Sequence, residues 1–323
     1  MQGFGLAMAT AAAVLAAGAA RAQDAAPSPA TPSSVSGITV VGKKPNPTVS
    51  AASEFVRQRM PESPMTGQYP RFAVPVCAYV QGLPPKFDAF IEARILKLAA
   101  EVHAPVNKNK LTCVPNVQVI FTPYPEKMLF NIGRKREMLL GYHYRSQYQR
   151  LTTWSRPIQS YYVTRTRDTK GRSSFDVVNT AGATLDPHDA QFGGAVALGG
   201  DGPHGYAGSR LGADLSSDIA FALILGDSKK VADAKIGEVA DYIAMLALAP
   251  WRNLERCNAV IPTILNLMAD ACLEEPPETV TPSDLSLLTA LYAVNPRESG
   301  SQQRMEIAAR LSKADTEPQP AAP

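Results

Sequence analysis

The chain has 323 residues, 45% of them hydrophobic and 19% charged, and a formal net charge of +3. That composition supports a substantial buried core and excludes a chain disordered throughout, and the length suits one large domain or two small ones. Beyond one apolar run near the start, no stretch approaches the roughly 20 apolar residues of a membrane helix, so no transmembrane helix is expected in the mature chain.

Residues 1–22 hold an apolar run from Leu6 to Ala20, then Ala20-Arg21-Ala22, a small-x-small site ahead of Gln23. This is the pattern of a secretory signal peptide, although no Lys or Arg precedes Arg21, and it predicts a periplasmic or secreted protein. Residues 23–50 read as a flexible linker: the Ala/Pro/Ser-rich stretch to about Ser36 is followed by a short β-like run, Ile38 to Val41. That run is similar to the TonB-contacting segment of outer-membrane receptors, but no β-barrel follows, and a tethering strand is the better reading.

From 51 to 313 the pattern predicts one globular α/β (α+β) domain: a mixed sheet with helices packed on it and a helical C-terminal part. Pro84 to Val102 places Phe87, Phe90, Ile91, Ile95, Leu98 and Val102 at helical spacing. "CVPNVQVIFTP" from Cys113 is a strand with Val117, Val119 and Phe121 on one face, and a helix follows around Glu126 to Leu140. Ile158 to Thr166 is the first strand of a hairpin that turns near Lys170-Gly171.

Residues 182–212 carry nine of the glycines, eight of them from Gly193 to Gly212, without periodicity, and are expected to form an irregular loop. Neither the Lys-Ser/Thr nor the G-x-G-x-x-G spacing of a phosphate-cradling loop is present, so no nucleotide cofactor is expected. "DIAFALILGDSKKV" from Asp218 is a buried strand ending in a turn at Asp227 to Lys229. Helices are expected over Lys235 to Ala249, Pro262 to Ala271, Pro282 to Ala293 and Ser301 to Ser312, with a disordered tail over 314–323. Thr281, Pro282 and Asp284 supply an N-cap hydroxyl, a first-turn proline and a first-turn carboxylate.

The four cysteines, Cys77, Cys113, Cys257 and Cys272, fall as one pair in each half, and none belongs to a C-x-x-C motif. In an oxidising compartment they are expected to form disulfides. The economical pairing is Cys77 with Cys113 and Cys257 with Cys272, but spacing alone permits three connectivities.

"KIGEVADYIAMLALA", Lys235 to Ala249, outlines an H-E-x-x-H helix with its ligands replaced: Gly237 and Asp241 stand in the histidine slots around Glu238. A strand precedes this helix, "TILNL" at Thr263 to Leu267 follows, and Asp284, Leu288, Leu291 and Tyr292 spell D-x-x-x-L-x-x-L-Y. This order resembles the metzincin class of zinc peptidases, in which a Met-containing turn (here Leu265) and a later helix follow the metal helix. The resemblance implies a zincin-like scaffold. The third ligand slot holds Ala247, so it implies a scaffold without metal and no zinc proteolysis. The chain is also similar to exported Gram-negative proteins of unassigned function.

Two further kinds of chemistry are readable. Glu238 and Asp241 are a candidate catalytic acid/base pair at i, i+3, a spacing that also describes an ordinary solvated helix face. His188 and His204 flank the glycine-rich stretch with Asp186, Asp189 and Asp201, a weak metal candidate with neither zinc nor EF-hand spacing.

Charge is the most uneven feature. Ten basic residues lie between Arg134 and Arg172 against two acidic ones, a local net of +8. Arg134, Lys135, Arg136, Arg145, Arg150, Arg165 and Arg167, interleaved with Tyr142, Tyr144 and Tyr161, are candidate binding residues. Arg165 and Arg167 alternate on a strand and would share a face.

Such a surface suits an anionic envelope polymer or an envelope protein, and no motif for specific nucleic acid accompanies it. The competing reading is a solvated surface whose cations pair with acidic groups elsewhere in the fold. The sequence therefore points to an exported, non-catalytic binding or structural module. The alternative is a hydrolase of an envelope polymer with Glu238 and Asp241 in its cleft.

Overall fold

Four strands that run in one direction, and one that returns between two of them, build the sheet on which everything else is hung. A computed structural model describes residues 47–107, 112–176 and 214–314. The signal-like stretch, the Ile38–Val41 run, the glycine-rich segment with His188 and His204, and the tail from 315 lie outside the described residues.

The strands are β1 (Ala78–Gln81), β2 (Val117–Thr122), β3 (Ile158–Asp168), β4 (Ser173–Phe175) and β5 (Leu215–Asp227). Their spatial order is β1-β2-β5-β3-β4; β1, β2 and β5 are parallel, and β3 pairs antiparallel with both β5 and β4. The mixed α/β class expected from the sequence is thus the observed one.

Helices cover both faces. On the first lie α1 (Val49–Arg59), α2 (Pro85–Glu101), α5 (Ile236–Leu248), α6 (Pro282–Ala293) and α7 (Gly300–Leu311), packed on Val117, Val119, Phe121, Ala222 and Ile224. On the second lie α3 (Pro125–Lys135), a 3-10 turn at Glu137–Leu140 and the short α4 (Tyr148–Leu151), packed on Tyr161, Val163, Phe221, Leu223 and Leu225. The apolar run of β5 is continuous because both of its faces are buried. A register shift opposite Val163 and Thr164 leaves a bulge at Ala220, which carries the alternation of β5 from one phase to the other.

Three elements depart from the pattern, one by starting earlier and two by breaking or shortening. Helix α1 begins at Val49, within the last residues assigned to the linker, where the Thr48 hydroxyl accepts from the Ala51 amide. The Glu126–Leu140 helix is broken after Lys135, and its 3-10 continuation ends on Gly141 at φ 62°, where a Cβ would stand 1.8 Å from the Tyr162 carbonyl oxygen. The Pro262–Ala271 helix reduces to one 3-10 turn, Ile264–Met268.

That turn is held from outside itself. Asn266 donates to the Asn258 carbonyl and accepts from the Asn258 amide, and the Cys257–Cys272 disulfide closes the loop around it. Asp284, buried in α6, accepts from the Thr263 hydroxyl at 2.5 Å, from the Ile264 amide at 2.9 Å and from the Thr281 amide at 3.0 Å. Its own amide donates to the Thr281 hydroxyl, so the predicted cap is present and also ties the turn to α6.

The second disulfide joins Cys77 to Cys113 ahead of β1 and β2, so of the three connectivities the economical one is found. Both bridges are consistent with an oxidising compartment. No helix among the described residues is long and apolar enough to cross a membrane.

Candidate functional site

Helix α5 carries the near-miss motif, and its residues divide into two uses. Ala244 and Ala247 are fully buried in the main core, as are Ile243 and Leu246. Gly237 and Asp241 instead face a groove of about 390 Å³ between α2 and α5, with Phe90, Arg94, Lys97 and Thr279 on its other walls. A Cβ at Gly237 would meet nothing within 4 Å.

Asp241 is fully engaged. Arg94 of α2 grips it with Nε on Oδ1 and Nη2 on Oδ2, the latter at 2.9 Å. The Thr279 hydroxyl donates to Oδ2 at 2.5 Å and the Val280 amide at 3.0 Å. Burial pushes its carboxyl up, but the hydrogen bonds from Arg94, Thr279 and Val280 together hold it below the usual carboxylate range.

Glu238, a step around the helix, pairs with Lys235 at 3.1 Å, and Lys235 also bonds Glu278. The two candidate acid/base residues therefore answer to different cations. A general acid or base near neutral pH wants a proton-accepting position poised near the working pH and open to substrate. Asp241 has neither property, and its geometry is that of a latch between α2, α5 and the segment leading to α6.

On the second face the basic segment is not uniform. Arg165 and Arg167 do share a face of β3, and both turn to Asp218 of β5, at 2.7 and 3.1 Å. Asp218 is 2% exposed, so two of the seven cationic binding candidates are spent inside the sheet layer. Arg172 is likewise bonded to Asp168 across the hairpin turn.

Tyr142 and Tyr161 are core rings, at 3% and 2% exposure, which removes them from any binding surface. Burial raises both phenols, that of Tyr142 to about 12. Tyr142 meets Tyr148 edge-on at 5.8 Å, while of the three candidate tyrosines only Tyr144 is exposed. Arg134, Lys135, Arg136, Arg145, Arg150 and Tyr144 are exposed.

A third place was not singled out by its sequence. At the carboxyl ends of neighbouring parallel strands β2 and β5 the chain departs in opposite directions, to α3 on the second face and to α5 on the first. Open α/β sheets form their ligand crevices at such divergences.

Here a groove of about 370 Å³ runs along α3 from that point, with Thr122 and Tyr124 at the strand end, Met128 and Ile132 as an apolar floor, and Lys127, Asn131, Lys135 and Arg136 beside them. Tyr124 is 65% exposed, and Lys229 from the turn after β5 stands 4.8 Å from its ring centroid. The signal was present as Lys127, Asn131 and Lys135 at i, i+4 and i+8, but only the fold puts that row beside an aromatic ring.

Among the described residues no three His, Cys, Asp or Glu side chains are gathered as a metal cluster, and His188 and His204 lie outside them. Comparison with protein-family models, with curated proteins and with solved structures finds no match to this chain.

Proposed function

We propose that this protein is an exported, non-catalytic binding module of the cell envelope that takes an anionic polymer on the second face of its sheet. The observation that carries the reading is the outward layer of cations on α3, the turns after it and α4: Arg134, Lys135, Arg136, Arg145 and Arg150 are exposed. Such a layer attracts polyanions and makes binding fall with ionic strength.

The signal-like N-terminal stretch and two disulfides support export. The succession of β5, α5, the Thr263–Leu267 turn and α6 supports the reading of the scaffold as zincin-like, with its ligand slots turned to packing and to the Asp241 latch. The hydrolase alternative draws no support from Asp241, every oxygen of which is already occupied.

The test is binding of the purified chain to immobilised polygalacturonate over a salt series. Saturable binding that weakens with salt, and that an Arg145→Glu, Arg150→Glu double variant loses, is the expected result. Absence of binding at low salt, or indifference to the double variant, would overturn the reading.

A further inference from the structure

We infer that the groove along α3 is the saccharide subsite of this surface, and that its ligand is an acidic polysaccharide whose pyranose rings carry the negative charge. The inference rests on the polyanion reading above and adds to it a place and a ligand class.

Three features converge in the groove. Its wall carries Lys127, Lys135 and Arg136 and no carboxylate, so a ligand lying in it meets cations alone. Glu126 belongs to the same helix but is not part of that lining. Its floor, Met128 and Ile132, is apolar and half-buried, and Tyr124 stands exposed at the mouth.

A pyranose is amphipathic in the same sense: its C–H face suits an apolar floor or an aromatic ring, and its edge presents hydroxyls. Asn131 and Thr122 supply an amide and a hydroxyl at the edge of the groove, and the lysines suit the acidic substituent. At about 370 Å³ the groove falls in the size range of small-ligand sites, enough for a short piece of a chain and not for a folded partner.

Its position has an independent rationale. The Ser228 amide donates to the Thr122 carbonyl at 3.1 Å, which holds the turn after β5 against the end of β2. Tyr124 and Lys229, one from each strand end, are thereby set on the same lip, 4.8 Å apart. The cation approaches the ring without burying it, so one ring and one charge are offered to the solvent side together. A surface serving only solubility has no need of an apolar floor beneath its lysines.

The experiment uses the mature chain with its disulfides intact and three probes at fixed ionic strength: polygalacturonate oligomers, neutral dextran oligomers and single-stranded DNA. Variants are Tyr124→Ala and the double Lys127→Gln, Lys135→Gln, all at exposed positions, with circular dichroism confirming an unchanged fold.

The expected result is saturable binding of the acidic oligomer, none of dextran, and a loss of about tenfold for each variant, the effect of removing one anchor. If both variants bind polygalacturonate as the parent does while the Arg145→Glu, Arg150→Glu double variant does not, the groove inference fails and the polyanion reading stands. If the parent binds none of the probes, both fail. DNA binding as tight as polygalacturonate, and equally sensitive to Tyr124→Ala, would overturn the saccharide assignment, because aromatic stacking of bases would then explain the ring.

Discussion

Replacing Asp241 with alanine distinguishes a latch from a catalytic carboxylate. The carboxylate is 4% exposed and accepts from Arg94 twice, from the Thr279 hydroxyl and from the Val280 amide. Truncation strands the last two donors inside the joint, and a hydrogen bond to a charged group contributes about 1.5–3 kcal/mol. Taking the low end for each gives about 3 kcal/mol.

Arg94 is 22% exposed and can turn to water, so its share is discounted to the scale of a surface pair, up to about 1 kcal/mol. The total is about 4 kcal/mol, within the 3–5 kcal/mol range for breaking one side of a buried pair. A domain of ordinary stability survives that loss, since such domains have about 5–15 kcal/mol to lose.

Urea unfolding at pH 7 with the disulfides oxidised should therefore show a lower midpoint and an unchanged slope. The pH dependence has a definite sign. The folded carboxyl is depressed, so its stabilisation is fully present above the unfolded value of about 3.9 and is lost as pH falls through the folded one. The gap between parent and variant should be constant from neutral pH down to about pH 5 and should close in stronger acid. An Asp241→Ala protein that unfolds at the parent's midpoint at pH 7 would refute the latch. Were that variant also to lose turnover of an envelope polymer, the hydrolase reading would take its place.

Other outcomes follow from the same packing. Alkylation of the denatured, unreduced chain should label no cysteine, and reduction should cost about 3 kcal/mol for the 15-residue loop and about 4 kcal/mol for the 36-residue one; labelling of any thiol before reduction would contradict the pairing. Asp218→Ala leaves Arg165 without its carboxylate, at about 1.5–3 kcal/mol, and the more exposed Arg167 adds up to about 1 kcal/mol in urea unfolding. Gly141→Ala combines a positive φ with a clash against the Tyr162 carbonyl and should lower stability by at least about 2 kcal/mol; a neutral result would mean that the turn between α3 and β3 is not built as described.

The sheet was largely legible because its strands write burial directly into periodicity. Val117, Val119 and Phe121 alternate toward the first core, and the unbroken apolar run of β5 is that of a strand covered on both faces. The cap of α6 was legible for a similar local reason, since Thr281, Pro282 and Asp284 act within one turn.

Four-residue β1 was not, because so short a strand has no period to detect. Nor was the shortened helix after Pro262: what prevents it is a disulfide and the side chains of Asn258, Asn266 and Asp284, none of which is a local propensity.

The site followed the same division. Counting charge between Arg134 and Arg172 located a basic surface but could not tell which cations had partners, because Asp218 lies on a strand fifty residues away in sequence and opposite Arg165 in space. The tyrosines misled for a different reason: Tyr161 shares a face of β3 with Arg165 and Arg167, but its end of the strand is covered by the second core and theirs is not. Asp241, chosen for its resemblance to a ligand slot, proves to be bound by an arginine from another helix. What a side chain does depends on what the rest of its bonding capacity is already doing. The groups on which the binding experiments turn are those the fold leaves open to solvent, the exposed cations of the second face and the ring of Tyr124.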